Sequence, residues 1–337
     1  LEFRRVLFRS QPGGVSPGLK PCMEQAKPSL ARPDASSGSE ASGLVTAAYG
    51  RHLVVEVDGD DGPAWNAVAR GRRADACVGD RVLLTLLGDR QAAIEEIKPR
   101  SNLLRRSDGG RSKSLAANLD QAAIVLSGDP PFSEELLMRV LAVAATEGIA
   151  PLIIAGKSDL LEPSEKIAPR LALYESLGYP VLRISARSQP GLALEAMGSA
   201  LSHRCTLLLG QSGMGKSTLI NLLVPEAEMA TQDISVALSS GRHTTTFCRM
   251  FRNGRNLPVQ ASLIDSPGFQ LFGIAHLSRS QLMHALPDFR PLLGHCRFAN
   301  CLHRSEPGCA IQEAVREGSI DHRRHQLYLK MLDETLD

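Results

Sequence analysis

Arg204-Cys-Thr-Leu-Leu-Leu-Gly210 runs straight into Gly210-Gln211-Ser212-Gly213-Met214-Gly215-Lys216-Ser217-Thr218, and that loop into the apolar Thr218-Leu-Ile-Asn-Leu-Leu-Val224. The loop matches G-x-x-x-x-G-K-[ST] between a strand pattern and a helix pattern, the context that turns a string of letters into a phosphate site. Its glycines let the backbone curl so that successive N–H groups point at phosphate oxygens. The helix that follows adds the positive end of its dipole. Lys216 is expected to reach the β- and γ-phosphates, and the Ser217 hydroxyl to ligate Mg²⁺. A strand–loop–helix unit of this kind belongs to a parallel sheet, which sets the fold class as α/β.

The flanks agree. Upstream, AAIVLS (122–127), the helical FSEELLMRVLAVAATEG (132–148), PLIIAG (151–156), a helix over 163–177, PVLRIS (180–185) and a helix over 190–201 alternate strand with helix. Downstream, VQASLI (259–264) leads to Asp265-Ser-Pro-Gly268. There Asp265 is expected to hold Mg²⁺ through water and the Gly268 N–H to face the γ-phosphate. The pattern D-x-x-G alone reads equally well as a turn; its place at a strand end gives it weight. Between the two loops lies Gly241-Arg-His243-Thr244-Thr245-Thr246. One of its threonines can complete the Mg²⁺ shell, as an NTPase switch requires, and the stretch reads equally well as an ordinary loop or strand rich in Thr.

Gly156-Lys157-Ser158-Asp159 follows the strand PLIIAG. Guanine-specific NTPases carry N-K-x-D at such a strand end, where the Asp carboxylate accepts from the ring N–H and the exocyclic amine, a pair adenine lacks. Asp159 and Lys157 are present; Gly156 stands where the Asn belongs. Ser185-Ala186 after PVLRIS is similar to the loop whose backbone N–H meets the guanine oxygen. Both base loops precede the phosphate loop, the reverse of the ordinary order. Strand ends assembled in space tolerate such permutation.

The remaining residues bound the possibilities. The chain has 337 residues, 43% hydrophobic, 22% charged and 4% aromatic. That length suggests two or three domains, and the apolar share excludes wholesale disorder. No apolar run approaches the roughly 18 residues of a membrane span. With a net charge of +2, nucleic-acid contact must come from local patches. Residues 1–41, rich in Pro, Ser, Gly and Arg, read as a disordered tail; the opening LEFRRVLFRS lacks the apolar core of a signal peptide. Over 43–98, GLVTAAYG, HLVVEVDG, AWNAVARG, DRVLLTLLGD and AAIEEI read as five short strands. They fit an OB-fold, and an SH3-like barrel would look much the same. Lys98, Arg100, Arg105, Arg106, Arg111 and Lys113 face Asp108 alone in 98–113, which reads either as a solvated linker or as a phosphate-backbone contact.

Seven cysteines include four isolated ones, Cys22, Cys77, Cys205 and Cys248, and the crowded Cys296, Cys301 and Cys309. An odd total without a secretory signal indicates a reducing cytoplasm. Cys296, Cys301, His303 and Cys309 supply a tetrahedral donor set for one structural Zn²⁺, with His295 as a competing ligand. Four protein ligands leave no open position, so the metal would hold together a small helical region that is poor in core.

The sequence of motifs resembles the RsgA (YjeQ) family of ribosome small-subunit-dependent GTPases: base loop, GQSGMGKST, GRHTTT, DSPG, then Cys-x4-Cys-x-His-x5-Cys. The resemblance extends from about residue 42 onward and includes RSNLLRRSD (100–108). It implies an OB-fold barrel over 42–100, a circularly permuted P-loop GTPase domain with a mostly parallel sheet over 101–275, and a helical zinc-binding domain over 276–337. It implies GTP and GDP as ligands, Mg²⁺ on Ser217, Thr245 and Asp265, and GTP hydrolysis stimulated by the 30S subunit during its late maturation. The implied partners are that subunit and its 16S rRNA, met by a cytoplasmic monomer. Two positions depart from the family pattern, Gly156 for Asn and Ser239 for a switch glycine. Many GTPases place Gln after D-x-x-G to orient the attacking water. Phe269 cannot do so, and the resemblance assigns that task to His243, with Lys216 and Thr245 completing the catalytic set. Two other readings remain: an ATP-dependent P-loop enzyme, and a non-catalytic RNA-binding module controlled by guanine nucleotide.

Overall fold

The computed structural model describes residues 38–50, 52–69, 75–108, 111–227 and 247–335. His243, Thr244, Thr245 and Ser239 lie outside the described residues, as does the N-terminal stretch read as a tail.

Five strands run parallel: β8 (Gln121–Leu126), β9 (Ala150–Ala155), β10 (Val181–Arg183), β11 (Cys205–Gly210) and β13 (Ser262–Asp265). Their spatial order is β10-β9-β8-β11-β13, followed by β12 (Cys248–Arg252), which is antiparallel to β13. Every residue of β8 is buried, as expected of a central strand covered on both faces. Alternate residues of β11 serve different cores. Leu207 and Leu209 pack towards α1 (Glu134–Thr146) and α2 (Leu161–Ser176), and Leu208 towards α3 (Pro190–Leu201) and α4 (Lys216–Leu223). The period of two in TLLL is thus the physical basis of a sheet with helices on both faces.

The barrel strands are β1 (Glu40–Tyr49), β2 (His52–Val57), β3 (Trp65–Ala69), β4 (Arg81–Gly88) and β5 (Gln91–Ile97). They close in the ring β1-β2-β3-β5-β4-β1, with β3 and β5 parallel and the other pairs antiparallel. This order selects the OB arrangement over the SH3-like alternative. Val45, Val55, Val82, Leu84 and Ile94 fill its interior. A register shift between Val45 and Ala47 bends β1, and beyond it Ala47 and Ala48 pair with Arg249 and Cys248 of β12. One sheet therefore runs from the parallel strands into the barrel through β12, a connection with no local record in the sequence.

The basic stretch 98–113 is not a linker. Leu103–Asp108 (β6) and Arg111–Ala117 (β7) form an antiparallel pair anchored by buried Leu104 and Ala116. The Ser107 N–H donates to the Gly273 carbonyl at 2.9 Å, an approach so close that a Cβ at Gly273 would sit 2.5 Å from the Ser107 oxygen. Arg106 turns inward, its guanidinium 5.0 Å over the Phe269 ring, and leaves Lys113 exposed on the opposite strand.

The C-terminal region holds α5 (Arg279–Ala285), a short turn of 3₁₀ helix (Arg290–Leu292), α6 (Ala310–Arg316) and α7 (His322–Leu332). A capping box between Ser278 and Gln281 starts α5. Helix α6 was not foreseen. Buried Arg324 forks onto Asp288, donating from Nε and Nη2 at 2.8 Å each, and lies 5.3 Å over Tyr174 of α2. Arg170 of α2 bonds Asp321 at the N-cap of α7 and Glu134 of α1. These ties seat α7 on α1 and α2.

Candidate nucleotide pocket and metal centre

In a parallel sheet all carboxyl ends emerge at one edge, where ligands bind. Here that edge receives the base loop after β9, the 184–188 loop after β10, the phosphate loop after β11 and D-S-P-G after β13. The spatial order then sorts them. β9 and β10 are neighbours, so the two loops expected to read a base meet; β11 and β13 are neighbours, so the two loops expected to hold phosphates meet. Sequence order is irrelevant to this result, which is how a permuted chain builds one site.

A cavity of about 290 Å³ joins the halves. It is lined by Gly156, Lys157, Asp159, Ser185 and Ala186 from the base side and by Met214, Gly215 and Thr218 from the phosphate side, over an apolar floor that includes Val125 and Ile154. The Ser158 N–H donates to the Ile184 carbonyl at 3.2 Å, stitching the two base loops together. Lys157 adopts φ of 56° and donates from Nζ to the Asp129 carbonyl at 2.7 Å. The Asp159 carboxylate accepts from Ser185 Oγ at 2.5 Å and from Ser188 Oγ at 2.7 Å. These hydroxyls, Ser185 first, hold its pKa below the usual carboxylate value. A Cβ at Gly156 would lie 3.4 Å from the Met214 carbonyl and 3.7 Å from that of Leu126, ordinary contact distances.

On the phosphate side Gly210, Gly213 and Gly215 have φ of 150°, 82° and 97°, the conformations that make the curl of the loop open to glycine. Gln211 Oε1 accepts from the Ser133 N–H at 2.6 Å, tying the loop to the N-cap of α1. Ser127 Oγ donates to Met214 Sδ at 3.4 Å. The D-S-P-G segment is zipped onto the loop. The Phe269 N–H donates to the Gly210 carbonyl at 3.2 Å, and Ser266 Oγ donates to the Leu208 carbonyl at 2.6 Å. A Cβ on Gly268 would sit 3.3 Å from the Ser212 nitrogen, so a side chain there would press on phosphate-loop backbone. Phe269 is buried and stands edge-on to Phe272 at 5.9 Å, away from any water-positioning role.

Lys216 Nζ lies 3.9 Å from Asp265 Oδ1. Burial pushes the Asp265 carboxyl up to about 6, against the opposing pull of Lys216. Its Oδ1 is buried without a hydrogen-bond partner. An orphaned carboxylate oxygen beside Lys216, with Ser217 in the first turn of α4, fits a hard, oxygen-seeking Mg²⁺.

The second cluster is Cys296, Cys301, His303 and Cys309, whose ligating atoms all lie within 4.8 Å of one another. Cys296 Sγ is 3.9 Å from Cys309 Sγ, and His303 Nδ1 is 3.5 and 3.4 Å from the two sulfurs. Bond lengths of about 2.3 Å to sulfur and 2.0–2.1 Å to nitrogen give tetrahedral edges of about 3.8 and 3.6 Å, so the donor set fits Zn²⁺. Burial lowers the His303 pKa, favouring the neutral imidazole that ligates, and raises the Cys301 and Cys309 thiols, which a cation would strip of their protons. His295 is exposed and outside the cluster.

Among the site residues read from the sequence, only the switch group falls outside the described residues. Ser188 was missed. Its signal, a hydroxyl three positions after Ser185, is too common to carry meaning alone.

An RsgA GTPase family model matches residues 97–275. The small ribosomal subunit biogenesis GTPase RsgA of Paraburkholderia xenovorans (strain LB400) is 51% identical over 307 residues, covering 90% of this chain and 96% of its own. The protein of the same name from Burkholderia pseudomallei (strain 668) is 49% identical over 306 residues, covering 90% and 95%. Among solved structures, YloQ, described as a circularly permuted GTPase, superposes with a TM-score of 0.61 at 27% identity over 90% of this chain and 97% of its own. YjeQ from Thermotoga maritima gives 0.64 at 26%, over 88% and 98%.

Proposed function

The chain belongs to the RsgA GTPase family, and from that membership we propose that it hydrolyses GTP in late maturation of the 30S ribosomal subunit, with the subunit stimulating the reaction. The observation that carries this reading is the single cavity lined by Asp159 and Ser185 on one side and Gly215 and Thr218 on the other. A guanine base there places its phosphates over the loop that ends in Lys216.

In this reading Asp159 accepts the two guanine donors, and the backbone N–H groups of 211–216 with the Lys216 ammonium hold the phosphates. Ser217, Asp265 and Thr245 would hold Mg²⁺, which would supply charge neutralisation on the phosphates. Water attacks the γ-phosphorus as its bond to the β-bridging oxygen breaks, releasing GDP and inorganic phosphate. Because Phe269 is buried, water is oriented from elsewhere, and we assign that to His243. Residues 42–100, 101–275 and 276–337 serve as barrel, nucleotide domain and zinc-bearing helical domain. The protein acts as a monomer in the cytoplasm and contacts 16S rRNA; no helix among the described residues is long and apolar enough to cross a membrane. The exposed Lys113 suits rRNA phosphate better than the inward Arg106.

The test is phosphate release from GTP with and without purified small subunits, for the wild type and His243→Ala. Stimulation that His243→Ala abolishes while GTP binding persists is expected. No release above background with subunits present would leave a non-catalytic guanine-controlled module. ATP competing equally with GTP would overturn the base assignment.

A further inference from the structure

Ser188 lies in none of the recognition motifs, yet it holds one oxygen of the carboxylate that reads the base. The local geometry is a closed triangle. Ser185 Oγ donates to Asp159 Oδ1 at 2.5 Å and accepts from the Ser188 N–H at 3.2 Å; Ser188 Oγ donates to Asp159 Oδ2 at 2.7 Å. The Gln189 N–H closes the turn onto the Ser185 carbonyl at 3.1 Å, at the start of α3. Each carboxylate oxygen has two lone-pair directions. One on each oxygen is taken by a serine, and the carboxylate also takes a hydrogen bond from its own backbone N–H; the directions left over are the ones a guanine edge can use. Two points of attachment fix the plane of the carboxylate, where a single one would let it swing about χ2, a broad and soft torsion.

We propose that Ser188 is a positioning residue for base recognition: it sets the plane of the Asp159 carboxylate so that both oxygens meet the guanine edge together. The inference rests on the base-reading role of Asp159 proposed above. It also gives a reason why a base loop with Gly156 still presents its aspartate in register. The aspartate is steadied from the neighbouring 185–188 loop, whereas the link to the phosphate loop that an Asn side chain would supply at position 156 is missing.

The experiment measures equilibrium binding of GDP, inosine diphosphate and xanthosine diphosphate to the full chain carrying Ser188→Ala, Ser188→Thr or Asp159→Asn. Inosine lacks the 2-amino group, so it draws on only one of the two carboxylate oxygens. Ser188→Ala is expected to weaken GDP about 2- to 12-fold, the worth of one hydrogen bond, and inosine diphosphate by less, so that the preference for GDP narrows. Ser188→Thr, which keeps the hydroxyl, should restore it. Unchanged or tighter GDP binding in Ser188→Ala would overturn the proposal. So would equal weakening of GDP and inosine diphosphate, which marks a loop that has merely loosened. Asp159→Asn separates the two readings. If it shifts preference to xanthosine diphosphate while Ser188→Ala is silent, only the role of Ser188 fails. If it does not shift preference, the base assignment fails and this inference with it.

Discussion

Gly156→Asn should tighten guanine nucleotide binding, because the structure has room for the side chain and an acceptor waiting for it. A Cβ at this position lies 3.4 Å from the Met214 carbonyl, 3.7 Å from the Leu126 carbonyl and 4.0 Å from Val125 Cγ1, none of which forces a shift. The Leu126 carbonyl already accepts from the Gly156 N–H at 2.8 Å, so the Met214 carbonyl is the better target for an added amide. That bond would tie the base loop directly to the phosphate loop, two segments that GTP must bridge at once. One net hydrogen bond contributes about 0.5–1.5 kcal/mol, or roughly a 2- to 12-fold lower Kd. Titration of GDP and of a non-hydrolysable GTP analogue reads this directly. Gly156→Ala is the control. It restricts the unfolded chain and raises stability by about 0.4–1 kcal/mol, yet adds no donor, so its affinity should match the wild type. If Asn and Ala bind alike, or Asn binds more weakly, the loop-to-loop reasoning is wrong.

In metal-free protein, Asp265→Asn should raise stability near neutral pH. With a folded pKa of about 6 against about 3.9 unfolded, the native carboxyl is favoured fully below pH ~4, and that advantage is lost as pH rises through 6. Two pKa units correspond to roughly 3 kcal/mol, so urea unfolding at pH 7.5 should show the variant more stable by about 1–3 kcal/mol and the curves converging at pH 4, while Mg²⁺-dependent nucleotide binding weakens. A gap that ignores pH would refute the burial account. Cys309→Ala should release zinc and speed hydrogen exchange in α6 with GDP affinity unchanged; full zinc retention would exclude it as a ligand. Arg324→Ala strands buried Asp288 and should cost about 3–5 kcal/mol in denaturant unfolding; a loss under 1 kcal/mol would show that water relieves the carboxylate.

How much was legible before the structure depends on the range of the interactions. The phosphate loop, the strand–helix alternation from Gln121 to Gly210 and the five barrel strands follow from glycine conformations, periodicity and turn residues, which act over a few positions and leave a local record. The donor spacing of Cys296, Cys301, His303 and Cys309 is of the same kind. The reversed order of the loops was visible in the residues as well; the resemblance to the RsgA family added the barrel type and an expected role for the switch histidine, which residue chemistry alone left open.

Whatever depends on partners distant in the chain left no such record. The basic stretch became the β6–β7 pair because Leu104 and Ala116 found a core and Gly273 admitted the Ser107 backbone. Strand β12 became the bridge from Asp265 to the barrel because β1 bends at Val45 to meet it. Ser188 came to hold the Asp159 carboxylate because the 185–188 loop is folded against it. Arg324 left solvent for Asp288 and Tyr174, and half-buried Arg106 turned onto Phe269. The energy of each of these pairings belongs to two segments at once, so neither segment alone records it. The sequence therefore determined which loops carry chemistry; the order of strands in the sheet determined that they meet.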